Sequence, residues 1–167
     1  IDDAVGRVMA ALRESGQDRN TVVLFTSDHG DWMGDHGLML KGPLHYQGLI
    51  RVPFIWRDPA ADRPPHAVDR DMAGTVDIGR TVLGRAGINP YNGMQGIDLL
   101  ASSRPAGRAM VVESEQVMHK FDQGRSFRVR SLVDPRYRLS VSDIDEIGEL
   151  YDLDEDPAET ANLWTSA

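Results

Sequence analysis

Residues 21–53, TVVLFTSDHGDWMGDHGLMLKGPLHYQGLIRVP, hold most of the side chains in this chain whose types and spacing could do chemistry. Asp28 and His29 follow directly on an apolar, β-branched run, Thr21 to Thr26. A hard carboxylate oxygen and a neutral imidazole can share a divalent cation, and sequence neighbours converge on one only where a strand has ended and the backbone turns. The plainer reading is that Asp28 caps a turn and His29 lies on the surface, and on the residues alone both stay open. Two ligands do not make a site. Lys41, between Leu40 and Gly42, offers an ammonium that could hold an oxygen of a tetrahedral anion and offset charge growing on a leaving oxygen; its alternative is a solvated lysine. His36 either ties its loop to backbone carbonyls or takes part in function. His45 either shapes substrate choice or faces solvent. Arg51 has the fork geometry for an oxyanion, but immediately before Val52 and Pro53 it is expected to pair with a buried carboxylate and brace the loop. Tyr46 reads as packing with a bonded hydroxyl. Asp31 and Asp35 read as exposed turn residues or as acceptors behind the histidines.

The elements around this stretch follow from periodicity. Val5, Val8, Met9 and Leu12 recur at helical spacing and Gly16 supplies a stop, so residues 3–15 predict an amphipathic helix packing on the next strand. The run 21–26 is too short for a membrane span and reads as a buried parallel strand delivering polar groups from its carboxyl end. Residues 28–46 carry Gly30, Gly34, Gly37 and Gly42, which suits a loop that brings backbone close to a ligand. A second buried strand is expected over 52–56, an exposed linker over 59–65, a short strand over 68–73, a helix over 76–85 and a turn-rich connection over 89–96. From Arg108 the texture changes to short alternating runs, 109–113, 126–133 and 137–141, an antiparallel meander with one wet face. Another strand over 149–153, a turn over 154–157 and a helical turn or two over 158–163 complete the chain. No repeat or low-complexity tract occurs.

Bulk properties exclude several classes. The 167 residues are 41% hydrophobic, enough for a real core. A formal net charge of −8 argues against nucleic-acid or anionic-membrane surfaces. With no cysteine there is no disulfide, thiolate zinc site or cysteine nucleophile within these residues. No apolar run has the length of a membrane span. His66 and His119 have no partner pattern and read as solvated, and the acidic run 152–159 lacks the spacing of an EF-hand and reads as a turn and helix start.

The ordered series Thr26-Ser27-Asp28-His29-Gly30, Gly34-Asp35-His36-Gly37-Leu38, Lys41-Gly42 and Arg51-Val52-Pro53 resembles the sulfatases, within the alkaline-phosphatase-like metallohydrolases. The ending ELYDLDEDPAETANLW resembles the carboxyl-terminal signature of the same family. The resemblance implies the carboxyl-terminal portion of an alkaline-phosphatase-like α/β sandwich over 1–105, followed over 106–167 by a small antiparallel β-sheet subdomain with a short terminal helix. It implies a metal-dependent sulfuric ester hydrolase acting on a small-molecule sulfate ester. Asp28 and His29 would be metal ligands, Lys41 catalytic and substrate-binding, His45 substrate-binding, and His36 and Arg51 supporting or structural. The cation would be divalent, calcium first, with manganese or zinc as alternatives. A phosphonate or phosphate ester hydrolase of the same superfamily and a non-catalytic metal- or anion-binding module are the rival readings. The family's nucleophile is usually a formylglycine made in a Cys/Ser-x-Pro-Ser-Arg motif, which this sequence does not contain. The chain is therefore expected to be a fragment lacking the amino-terminal nucleophile region, inactive alone, and self-associating over the face that region would cover. The compartment, cytoplasmic or periplasmic, stays open.

Overall fold

The computed structural model describes residues 1–61, 67–117, 126–143 and 148–164. Residues 62–65 of the expected linker, and both His66 and His119, lie outside them. The chain divides into two compact units, one of Ile1–Asp28 and Val52–Asp69, the other of His29–Arg51 and Arg70–Ala167.

In the first unit, α1 (Asp2–Glu14) opens with two acidic residues that complement the positive end of the helix dipole. Val5, Met9 and Leu12 form its half-buried stripe, whereas Val8 falls on the wet side at 65% exposure. The stop is a Schellman motif: Gly16 at φ 70° donates to the Arg13 carbonyl at 2.9 Å, and Gln17 donates to that of Leu12 at 3.1 Å. The expected strand is β1 (Val23–Thr26), but it is neither parallel nor fully buried. It pairs antiparallel with β2 (Phe54–Arg57), Val23 opposite Arg57 and Thr26 opposite Phe54, and all four of its residues are half-buried. An apolar run demands cover without dictating the direction of its partner; the chain's return after residue 51 sets that. Ile55 in β2 is 59% exposed, so this strand too has a wet side. Arg57 donates to the Asp18 carbonyl at 3.0 Å, fastening the turn before β1 to β2.

The second unit contains a short helix α2 (Gln47–Ile50), a helix α3 (Asp77–Arg85) and a four-stranded antiparallel sheet in the order β3 (Met110–Val117), β4 (Ser126–Val133), β5 (Tyr137–Ser142), β6 (Gly148–Asp152). The expected strand over 68–73 is absent among the described residues: Val68 is 80% exposed, and a polar segment without a ladder partner stays irregular. Helix α3 is anchored by Asp77, wholly buried. Its carboxylate accepts two hydrogen bonds at 2.7 Å from Arg108, one at 2.9 Å from the Gly74 N–H and one at 2.8 Å from the Ile97 N–H. Burial would raise the pKa of Asp77, but these donors, Arg108 first, hold it below the usual carboxylate range.

The sheet has the expected alternation. Phe127, Val129, Ser131 and Val133 point inward, while Arg128 and Arg130 point outward and pair across the strands with Glu115 at 3.1 Å and Glu113 at 2.8 Å. The β4–β5 turn is closed by Asp134, whose Oδ1 accepts from the Arg136 and Tyr137 N–H groups at 2.7 and 2.6 Å. The helical turns expected over 158–163 are irregular turns instead. Glu159 takes a left-handed φ of 57°, and Asp156 captures the Thr160 hydroxyl and the Ala161 N–H at 3.0 and 2.8 Å, taking donors that a helix would use.

Candidate active site

Strand β1 ends at Thr26, and the Ser27 hydroxyl donates to Asp28 Oδ1 at 3.3 Å, with Asp28 exposed. His29 Nδ1 lies 2.6 Å from the Gly30 carbonyl, so Nδ1 carries the proton and Nε2 keeps its lone pair. Lys41 Nζ, twelve positions further along the chain, sits 3.1 Å from that Nε2. An imidazole with its far nitrogen donating to a carbonyl is the form that ligates a metal, and the ammonium beside it is the form that holds an oxyanion. Asp28 and His29 are of the donor types, a carboxylate oxygen and an imidazole nitrogen, that a divalent cation accepts. Among the described residues no group of three or more acidic, histidine or cysteine side chains could hold a metal ion.

Backbone packing shapes the loop that carries Lys41. The Gly30 N–H donates to the Leu49 carbonyl at 2.7 Å, and a Cβ at Gly30 would run into the Gly48 carbonyl oxygen. Trp32, 5% exposed, lies against Gly42, where a side chain would meet its ring. Asp31 accepts backbone N–H groups and not a histidine, donors coming from Met33 at 2.8 Å and Leu40 at 3.1 Å.

Three expectations for this loop change. His36, at φ 53°, stacks on Tyr46 with ring centroids 3.8 Å apart and planes 15° apart, so its contact is aromatic and not to backbone carbonyls. Arg51 is exposed and forms no ion pair among the described residues, so a brace to a buried carboxylate is not what it supplies there. His45 does not face solvent: it is 3% exposed, with Nδ1 2.8 Å from Ser131 Oγ and Nε2 3.0 Å from Ser114 Oγ.

The hydroxyls around His45 settle its tautomer. Arg138 donates to Ser140 Oγ at 2.5 Å, so Ser140 passes its hydrogen to Ser131 at 2.6 Å, and Ser131 donates to His45 Nδ1. Ser114 donates to the Pro43 carbonyl at 3.3 Å and accepts from Nε2–H. A second proton would reverse this chain toward a cation. Burial first, and the Arg138 charge second, push the His45 pKa down to about 4.

Arg138 is the hub beneath the loop. Fully buried, it pairs with Glu159 and, at 2.8 Å, with Glu149, and its guanidinium lies 5.0 Å from the Tyr46 ring centroid and 4.8 Å from that of Tyr151. Burial alone would lower its pKa, but the bonds to Glu149 and Glu159 raise it. Those same carboxylates grip the loop: Tyr46 Oη donates to Glu149 at 3.0 Å, and the Gln47 N–H donates to Glu159 at 2.7 Å. Burial and Glu149 both push the Tyr46 pKa up. Sequence reading missed this cluster, since Glu159 sits in an acidic run and Arg138 in an alternating strand. An arginine in phase with the inward-facing positions of an alternating strand was the available signal.

An imidazole beside an ammonium, directly after a strand in an α/β chain, is a pairing compatible with metallohydrolases of tetrahedral oxyanion esters. The sulfatase family model matches residues 1–88, and the chain belongs to the sulfatase family. It is 34% identical over 163 residues to the uncharacterized sulfatase YidJ of Escherichia coli, covering 98% of this chain and 32% of that protein. With an arylsulfatase of Clostridium perfringens it shares 32% identity over 170 residues, 99% of this chain and 34% of the relative. A solved phosphonate monoester hydrolase of Agrobacterium radiobacter superposes with a TM-score of 0.84 at 27% identity, over 99% of this chain and 35% of that one. The expected α/β fold with its small antiparallel sheet is therefore that of the sulfatases and their structural neighbours. The chain spans about a third of the length of the relatives it matches. The family implies a metal ion and a formylglycine in the full-length protein.

Proposed function

We propose that this chain forms the carboxyl-terminal third of a metal-dependent sulfatase that hydrolyses a small-molecule sulfate ester, its exposed loop supplying part of the site. The observation that carries this reading is the 3.1 Å approach of Lys41 Nζ to His29 Nε2. Asp28 and His29 would hold a divalent cation, calcium first and manganese or zinc next, with the remaining ligands supplied from outside this chain. Bound there, the cation would polarise a sulfate oxygen. Lys41 would hold a second oxygen and stabilise charge developing on the ester oxygen as it leaves. His45, with both ring nitrogens bonded to serines, is left out of substrate contact and supports the loop from below.

In a full-length polypeptide containing this segment, Lys41→Ala is expected to lower kcat on an aryl sulfate by about 10²- to 10³-fold, the size of losing one oxyanion donor. An unchanged kcat would refute the assignment. The 167-residue chain alone, without the nucleophile motif, is expected to show no turnover. The superposition on a phosphonate monoester hydrolase favours a second reading, a phosphonate or phosphate ester hydrolase, because the same cation and amine serve either anion. Paired sulfate and phosphonate esters of one alcohol decide between them by their kcat/KM ratio. The isolated chain is also proposed to self-associate, since β1 and β2 form a sheet of only two strands among the described residues and leave strand edges without a partner strand. A monomeric mass by light scattering at micromolar concentration would refute that. Among the described residues no helix is long and apolar enough to cross a membrane.

A further inference from the structure

The loop 31–41 contains an unexplained expense. Met33 and Leu40, both bulky and neither glycine, take left-handed φ values of 50° and 66°, a conformation in which Cβ crowds the backbone. Burial does not compensate, because their side chains are 77% and 68% exposed. What the two residues share is Asp31. A single oxygen, Oδ1, accepts the Met33 N–H at 2.8 Å and the Leu40 N–H at 3.1 Å. The first bond is a local Asx turn, but the second reaches nine residues along the chain, beyond what any turn requires. The limbs between them are closed by Trp32 N–H to the Leu40 carbonyl at 3.1 Å and Gly34 N–H to the Leu38 carbonyl at 2.8 Å. Lys41 is consequently bracketed, by Leu40 on Asp31 before it and by Gly42 against the Trp32 ring after it.

We propose that Asp31 is the positioning residue for Lys41: its Oδ1 holds Leu40 in the left-handed conformation that aims the following ammonium at His29. This rests on the reading of Lys41 as the oxyanion-binding amine. The role needs an acceptor oxygen at that place and not a negative charge, and it needs Leu40 to be strained. Strain held at a functional loop by surrounding bonds is the expected arrangement where geometry matters to the chemistry.

The test uses the full-length enzyme with Asp31→Asn, Asp31→Ala, Leu40→Gly and the double variant Asp31→Ala/Leu40→Gly, read by kcat and KM on an aryl sulfate and by Tm. Asp31→Ala is expected to lower kcat by about 10²-fold with KM changed less than about threefold, the signature of a misplaced group that acts in the transition state. Asp31→Asn keeps the acceptor and is expected within about fivefold of the parent. Glycine at position 40 adopts the same φ without strain, so the double variant is expected to recover about tenfold over Asp31→Ala and to regain most of its lost Tm. Equal loss in Asp31→Asn and Asp31→Ala would overturn the proposal, showing that the charge itself is required. So would a double variant no better than Asp31→Ala. Lys41→Ala run alongside separates the two levels. Full activity there overturns the reading of Lys41 and this proposal with it, whereas its loss beside an unimpaired Asp31→Ala overturns this proposal alone.

Discussion

Lowering the pH from 7 to 4 should destabilise this chain through His45, by an amount that the structure sets. The ring is 3% exposed, bonded at Nδ1 to Ser131, whose hydroxyl is oriented by Arg138 through Ser140, and at Nε2 to Ser114, whose hydroxyl is oriented by the Pro43 carbonyl, and its folded pKa lies at about 4 against an ordinary 6.5. The unfolded chain therefore binds the proton first. Between those two values it carries more protons than the folded chain, so stability rises with pH; the contribution is complete above 6.5 and is lost as pH falls toward 4. Over this window the gap corresponds to about 3 kcal/mol, of which about 2 kcal/mol is already lost by pH 5. For a chain of this size that is a fall of roughly 6 to 12 °C in Tm at pH 4. The assay is urea denaturation at steps between pH 7 and 4, comparing the parent with His45→Gln, which cannot titrate. The parent should lose about 3 kcal/mol more than the variant over that window, whatever their difference at pH 7. Parallel stability curves for the two would refute the reasoning, because His45 would then protonate as readily inside the fold as outside it.

Two further perturbations address the packing beneath the loop. Glu159→Gln leaves the buried Arg138 with one carboxylate partner in place of two and is expected to cost about 3 kcal/mol, read as a lower urea midpoint at unchanged m. Glu113→Gln at the exposed Arg130 pair, by contrast, is expected to change stability by about 0.5 kcal/mol or less. Gly30→Ala would drive a methyl group into the Gly48 carbonyl and break the Gly30–Leu49 bond, costing about 1–3 kcal/mol and accelerating amide exchange at residue 30; an unchanged exchange rate would show that the close approach is not maintained.

Local signals in the sequence were sufficient wherever the physics is local. Helix α1, its stop at Gly16, the alternation of β4 and the strand ending at Thr26 before Asp28 and His29 all depend on neighbours a few residues apart, and the structure keeps each of them. The motif series likewise sufficed for the family, because spacing along a chain is itself sequence information. What the tertiary structure decided were matters of partnership. Whether β1 pairs parallel or antiparallel depends on where residues 54–57 return, and nothing in an apolar run specifies that. His45 and Arg51 look equally polar in sequence, yet one is enclosed by serines from β3 and β4 and the other remains exposed. Glu159 looks solvated among its acidic neighbours until Arg138, on β5, draws it inside and makes it a brace for the segment that follows the Lys41 loop. A charge is placed by the free energy of its nearest counter-charge and of the water it gives up, and both are set by residues distant along the chain.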